Sequence, residues 1–267
     1  MKKLAYTLVL MLCSFIHAQQ LDSSDPTYEI DSLKQTYQSK KNLIKLSFTS
    51  FTSFTSFAFN NIQFQYERIL KPKTSVALSY GTIPQSGIPL QVSVKSFVND
   101  EATFDKLSEL VVSYYSITPE IRFYLGKKGY GKGFYLAPFY RNSKLSLEGV
   151  SFDYEDELGT PSSIKAKGSI NGNTVGLLIG SQFNLGKSFV LDWWIIGPHY
   201  GSASGALNGI NSQPFSEYEK EALNTEVNEF DFPLVDQTTE ITDRAININF
   251  SGPWGGARAG LSIGYRF

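Results

Sequence analysis

The chain closes on Ala257-Arg258-Ala259-Gly260-Leu261-Ser262-Ile263-Gly264-Tyr265-Arg266-Phe267, and the reading of this stretch decides the fold. Its odd positions are Ala257, Ala259, Leu261, Ile263, Tyr265 and Phe267. Its even positions are Arg258, Gly260, Ser262, Gly264 and Arg266. A β-strand sends alternate side chains to opposite faces, so one face here suits hydrocarbon and the other carries two arginines among small residues. Half-buried soluble strands alternate too. The arginine pair on the narrow side and the terminal Phe267 favour a strand whose apolar face meets lipid.

The same pattern recurs upstream in runs of about 10 residues, the weak per-segment signature of a membrane barrel. Ile62–Leu70 sets Ile62, Phe64 and Tyr66 against Gln63, Gln65 and Glu67. Ser75–Thr82 sets Val76, Leu78 and Tyr80 against Ser75, Ser79 and Gly81. Val111–Leu125 sets Ile117, Ile121 and Phe123 against Thr118, Glu120 and Arg122. Val175–Leu185 sets Val175, Leu177 and Ile179 against Gly176, Gly180 and Gln182, and Phe189–His199 sets Phe189, Leu191, Trp193 and Ile195 against Asp192 and Trp194. Leu43–Phe51 and Phe134–Ser146 are noisier, the latter containing Pro138. With the last run that makes eight candidate strands. Short joins at 71–73, 127–132 and 186–187 alternate with long ones at 83–110, 153–164 and 201–249. The expectation is an all-β, antiparallel up-and-down transmembrane barrel of about eight strands, with long extracellular loops and both termini on the periplasmic side.

The GLSIGYRF ending resembles the C-terminal strand that outer-membrane proteins present to the barrel-assembly machinery, with Tyr265 and Phe267 as the implied signal. More widely, NLIKLSF, NNIQFQYERIL with SVALSYG, ITPEIRFYLG with GFYLAPFYR, LDWWIIGPHYG and GLSIGYRF resemble outer-membrane β-barrel families of the Bacteroidetes type. Such families are defined by the barrel and mostly lack an assigned activity, so the resemblance implies place and fold only.

The amino terminus supports export. Lys2 and Lys3 precede an apolar run from Leu4 to Ile16, and Ala18 offers a small residue before a cut. That run is shorter than the roughly 20 residues a transmembrane helix needs. Residues 1–18 are expected to be a signal peptide, 19–42 a polar periplasmic arm and 43–267 the barrel. Cys13, the single cysteine, would leave with the signal, so the mature chain has no disulfide framework. The formal net charge of the 267 residues is −1, which argues against nucleic acid as a partner. The tandem FTS repeat within 48–57 fits neither a strand nor a helix face well and reads as a repeat of no mechanical meaning, with a Phe-rich first hairpin as the alternative.

The inward faces collect Lys45, Glu67, Glu120, Arg122, Asp192, Arg258 and Arg266. Ionised groups in a narrow interior must be paired, so the cluster reads as a polar plug, with a gated ion path as the rival. His199 is placed where a strand meets a long outer loop, with Ser202, Ser204, Glu217 and Glu219 in sequence reach. A lipid-modifying enzyme would need such a base, serine and acid, but no fixed spacing or nucleophile motif supports one. The segment 201–249 is acidic, and Ser216 with Glu219 forms a capping box expected to open a helix reaching Glu229. Its carboxylates lack the spacing of a calcium loop, so it reads as a solvated loop rather than a cation site. No cofactor motif is present. The expected role is structural or surface-interacting, with outer-membrane lipid and lipopolysaccharide as contacts and the surface partner unidentified. A soluble exported barrel binding an apolar ligand is the remaining alternative.

Overall fold

The computed structural model describes residues 39–51, 62–86, 110–127, 129–229 and 235–267. The expected signal peptide, most of the arm and the second half of the FTS repeat lie outside them. The strands are β1 (Asn42–Phe51), β2 (Ile62–Lys71), β3 (Thr74–Ser86), β4 (Val111–Tyr124), β5 (Gly133–Glu155), β6 (Pro161–Leu185), β7 (Phe189–Ile210), β8 (Asp236–Ile241) and β9 (Ala245–Arg266). Among the described residues a helix, α1 (Glu217–Glu229), lies between β7 and β8. Each strand pairs antiparallel with the next up to β7, β7 pairs with β9, and β9 closes on β1 through Leu43↔Arg266 and Ile44↔Tyr265. Eight strands therefore form a closed ring, the architecture of an up-and-down membrane barrel, while β8 pairs only with the far half of β9. Closure gives each of the eight ring strands a partner on both sides, which hydrocarbon demands.

Which face is which follows from exposure. Phe64, Leu78, Ile117, Leu177 and Ile263 point outward and are exposed, while Gln65, Ser79, Thr118, Gln182 and Ser262 point inward and are buried. The polarity is that of a barrel in lipid, the inverse of a soluble one. Short turns at Pro72–Lys73 and Gly186–Ser188 share one end of the barrel with Asn42 and Phe267. That end is called the lower end below.

Three expectations are corrected. First, 153–164 is not a long loop: β5 and β6 run to a turn at Asp156–Thr160, where Asp156 Oδ1 accepts from the backbone N–H groups of Leu158 and Thr160. Second, 201–249 is mostly ordered structure, because β7 continues to Ile210 and β9 starts at Ala245. Third, Ile195 is an extra residue. The β6–β7 register steps from Ile179↔Ile196 to Gly180↔Trp194, a bulge that moves the inward positions of β7 from even to odd numbers.

The apolar exterior stops before the strands do. On β6 it covers Val175–Leu185, close to the roughly 9–11 residues a tilted strand needs to cross hydrocarbon. At its upper limit Tyr140 donates to Asn173 Oδ1 at 2.5 Å, and Tyr200 lies one strand further on, as an aromatic girdle requires. Beyond that level β5, β6, β7 and β9 continue as a sheet with a polar outer face (Lys165, Lys167, Asn171, Asn208). Its inner face is apolar (Phe152, Ile164, Ala166, Leu207, Ile246, Ile248). Helix α1 covers part of that inner face with Leu223 and Val227. Ser216 caps the helix as its spacing predicts: its Oγ accepts from Glu219 N–H, and Glu219 Oε2 accepts from Ser216 N–H at 2.8 Å. Lys220 donates to Glu217 and to Asp243, whose carboxylates hold its ammonium above the usual lysine value and tie α1 to the start of β9.

Candidate functional site: the ion-paired barrel interior

Strand parity sends Lys45 (β1), Glu67 (β2), Glu120 and Arg122 (β4), Asp192 (β7) and Arg258 (β9) into the ring. The register then sets their depth. Glu67 and Glu120 both face Ala77 from its two neighbours, Arg122 faces Ser75, and Asp192 faces Gln182 and Ser262. Their side chains meet in the lumen, each with no solvent exposure.

Arg122 is the hub. Its Nε donates to Glu120 Oε1 at 2.6 Å, Nη1 to Asp192 Oδ2 at 2.6 Å, and Nη2 to Gln65 Oε1 at 2.9 Å. Longer contacts of 3.3 Å reach Glu67 and Gln182, and its guanidinium lies 4.4 Å from the Tyr135 ring centroid. Lys45 Nζ donates to Glu67 at 2.5 Å, to Gln182 at 2.5 Å and to Asp192 at 2.7 Å. Arg258 Nη1 donates to Glu120 Oε2 at 3.0 Å, with its guanidinium 4.7 Å from the rings of both Phe139 and Trp194. Neutral donors complete the shell: Ser75 and Tyr124 donate to Glu67, and Tyr135 and Trp194 to Asp192. Three cations thus face three carboxylates, and every one of the eight ring strands supplies a group. A buried charge is tolerable only when paired and hydrogen-bonded, and here each carboxylate accepts at least three such bonds.

The cluster is closed off below and above. Below, the β4–β5 turn folds in under the barrel. Tyr130 packs against Leu43, Ile69 and Val190, its N–H donates to Pro72 at 2.5 Å, and its carbonyl accepts from Arg266 Nη2 at 2.9 Å. Gln182 Nε2 donates to the Gly131 carbonyl at 2.6 Å, so the turn is stitched to the network itself. The path requires positive φ at Gly129, Tyr130 and Gly131, and glycine takes two of these places at little steric cost. Above, Phe139, Leu178 and Trp194 form an apolar tier with His199, whose ring lies edge-on to Phe139 at 6.0 Å.

All seven interior residues expected from the sequence are buried inside the ring, and six form one network. Arg266 lies apart at the lower end, near Tyr130 and Asn184. Sequence reasoning missed Gln65 and Gln182 as network members, Tyr124 and Tyr135 as hydroxyl donors, and Arg141, a buried cation that donates to Tyr114 at 2.7 Å and to Thr118 at 3.4 Å. Parity alone would have found Gln65, Gln182 and Tyr124. Arg141 and Tyr135 sit in the run blurred by Pro138. The placement of His199 at a strand–loop junction is corrected: it is buried in the middle of β7, inward because of the Ile195 bulge. Ser202 and Ser204 lie on the opposite, exposed face, and Glu217 and Glu219 are on α1. The base, serine and acid are therefore not brought together. The closing residues Tyr265 and Phe267 are exposed on the lipid side of β9.

No protein-family model matches the chain, and a search of curated proteins returns no match. Among solved structures it is similar to Ail, the attachment invasion locus protein of Yersinia pestis, at 12% identity over 85% of this chain and 99% of that one, with a TM-score of 0.31. A complex of Ail with the heparin analogue sucrose octasulfate aligns at 10% identity and the same TM-score, over 85% of this chain and 99% of that one. The N-terminal β-barrel domain of Pseudomonas aeruginosa OprF aligns at 10% identity over 85% of this chain and 98% of that one, with a TM-score of 0.28.

Proposed function

We propose that this chain is a sealed outer-membrane barrel that serves as a rigid mount, and that its working part is the strand extension held outside the bilayer. The observation that carries this is the buried network linking all eight ring strands, which fills the lumen at the depth of the apolar exterior. A barrel of this size has an interior that side chains can fill, so a non-conducting structural or surface-interaction role suits it better than transport. Export through a cleaved leader ending at Ala18, recognition of Tyr265 and Phe267 by the assembly machinery, and a source among Gram-negative bacteria of the Bacteroidetes type belong to the same reading. So does contact of the exterior with lipopolysaccharide. The separation of His199, Ser202 and Glu219 counts against a lipid-modifying enzyme built on His199.

Planar-bilayer recording of the refolded protein tests the sealed lumen. The expected trace has no steady conductance, and a stable, reproducible channel in the parent protein would overturn the proposal.

A further inference from the structure

Between the inner face of the extension and α1 lies a cavity of about 780 Å³. It falls within the range of roughly 300–1,000 Å³ that holds small-molecule ligands. Leu147, Phe152, Ile170, Leu207, Ile248 and Phe250 line it, with Val227 of α1 on one side and Trp254 at its lower limit. Among the described lining residues the polar side chains are serines and Gln237, and none is charged. Gln237 is already engaged, donating to the Val227 carbonyl at 3.2 Å. Water gains few hydrogen bonds in such a space, whereas a hydrocarbon gains the full benefit of leaving solvent.

Shape narrows the ligand class further. From Ile248 to Trp254 the lining follows β9 over seven residues, about 20 Å along a strand, long enough to seat an extended hydrocarbon chain. Its lower limit is set by register: Trp254 faces Gly201, next to Tyr200 at the girdle level, so the cavity begins where the apolar exterior ends. Gly172, opposite Ala203, leaves room for the Trp254 indole, which a β-carbon there would meet at 2.8 Å. The geometry points to a binding site for one unbranched hydrocarbon chain, the acyl chain of a free fatty acid or of a membrane lipid. With no charged side chain among the described lining residues, the part of the ligand they hold is the hydrocarbon and not an acidic headgroup.

Trp254 lies against the cavity and reports occupancy. The test holds the full mature barrel in an amphipathic polymer and titrates it with a fatty acid brominated at mid-chain. A parallel arm uses a phospholipid carrying the same brominated chain. The Trp254 signal is the difference between the parent and Trp254→Phe. Saturable quenching at one ligand per barrel is expected, weakened at least tenfold in both Ala203→Phe and Val150→Phe, which fill the space from different strands. The heat-dependent gel shift confirms that each variant is folded. Saturation in the fatty-acid arm alone assigns a free acid, and saturation in the phospholipid arm assigns a lipid tail. Quenching that rises linearly in both arms, or that is unchanged in both filling variants, would overturn the site.

Discussion

Replacing Arg122 by Met keeps much of the side-chain volume and removes the charge at the centre of the network. Arg122 makes three short hydrogen bonds, to Glu120, Asp192 and Gln65. After its loss, Lys45 and Arg258 are the cations left in contact with Glu67, Glu120 and Asp192, so the network carries one excess negative charge among side chains with no solvent exposure. Breaking a buried pair by removing one partner costs about 3–5 kcal/mol. A second substitution separates charge imbalance from lost packing. In Arg122→Met with Asp192→Asn, Lys45 still pairs with Glu67 at 2.5 Å and Arg258 with Glu120 at 3.0 Å, so the count balances. The double variant should therefore be more stable than Arg122→Met by about 1–2 kcal/mol, a coupling within the range seen for residues of one ionic network. Reversible urea folding into lipid vesicles, read by gel shift and tryptophan emission, gives all four corners of the cycle. A loss below about 1 kcal/mol for Arg122→Met, with additive behaviour of the pair, would refute an interior held together by compensated charge.

Three further expectations follow from facing and burial. Ile263→Arg, on the exposed side of β9, should cost about 2–4 kcal/mol at the bilayer midplane, while Ser262→Ala on the buried side should cost less; equal tolerance in vesicle refolding would mean the face assignment is wrong. Leu223→Ala removes a fully buried side chain beneath α1 and should cost about 2–5 kcal/mol locally, read as protease cleavage near the helix with the barrel's gel shift retained. Asp156 is held below the ordinary aspartate value by the Thr160 backbone N–H and then by that of Leu158. Its contribution to the upper turn is therefore present above the unfolded aspartate value and lost as pH falls through the folded one. NMR titration of Asp156 should give a midpoint below 3.8, and a normal midpoint would show that the turn does not hold the carboxylate.

How much of this was legible in the sequence depends on the solvent each strand face meets. In the ring, lipid outside and ion pairs inside impose apolar-out and charged-in, and that contrast made Glu67, Glu120, Arg122 and Asp192 readable as one interior set. The Ile195 bulge was not readable, because Trp193-Trp194-Ile195-Ile196 is apolar on both parities and hides the extra residue. His199 was misplaced for that reason. Arg141 was missed because Pro138 made its strand seem broken. Pro138 is exposed on the outer face of β5, where a missing N–H is tolerated without ending the strand.

The upper parts of β5, β6, β7 and β9 fall outside the strands expected from the sequence for a different reason, which β6 makes explicit. Its odd positions face outward throughout, and they change from Lys165, Lys167, Ser169, Asn171 and Asn173 to Val175, Leu177 and Ile179. Its even positions face inward, and they change from Ile164, Ala166 and Ile170 to Thr174, Gly180 and Gln182. The alternation never breaks, but its sign reverses at Thr174/Val175. A search for apolar-out runs stops there and reports a strand end, although the β5–β6 pairing runs unshifted from Glu148↔Lys167 to Gly133↔Gln182. A register slip would also exchange the faces, but it would need a bulge, and none lies between those two pairs. The reversal therefore marks a change of solvent. Below Val175 the outer face meets hydrocarbon and the inner face meets the ion network. Above it the outer face meets water, and the inner face needs an apolar cover, which α1 supplies in part. The same chain position that fixes the membrane surface is thus where the sheet begins to build an ordinary soluble core, and that core is what encloses the cavity.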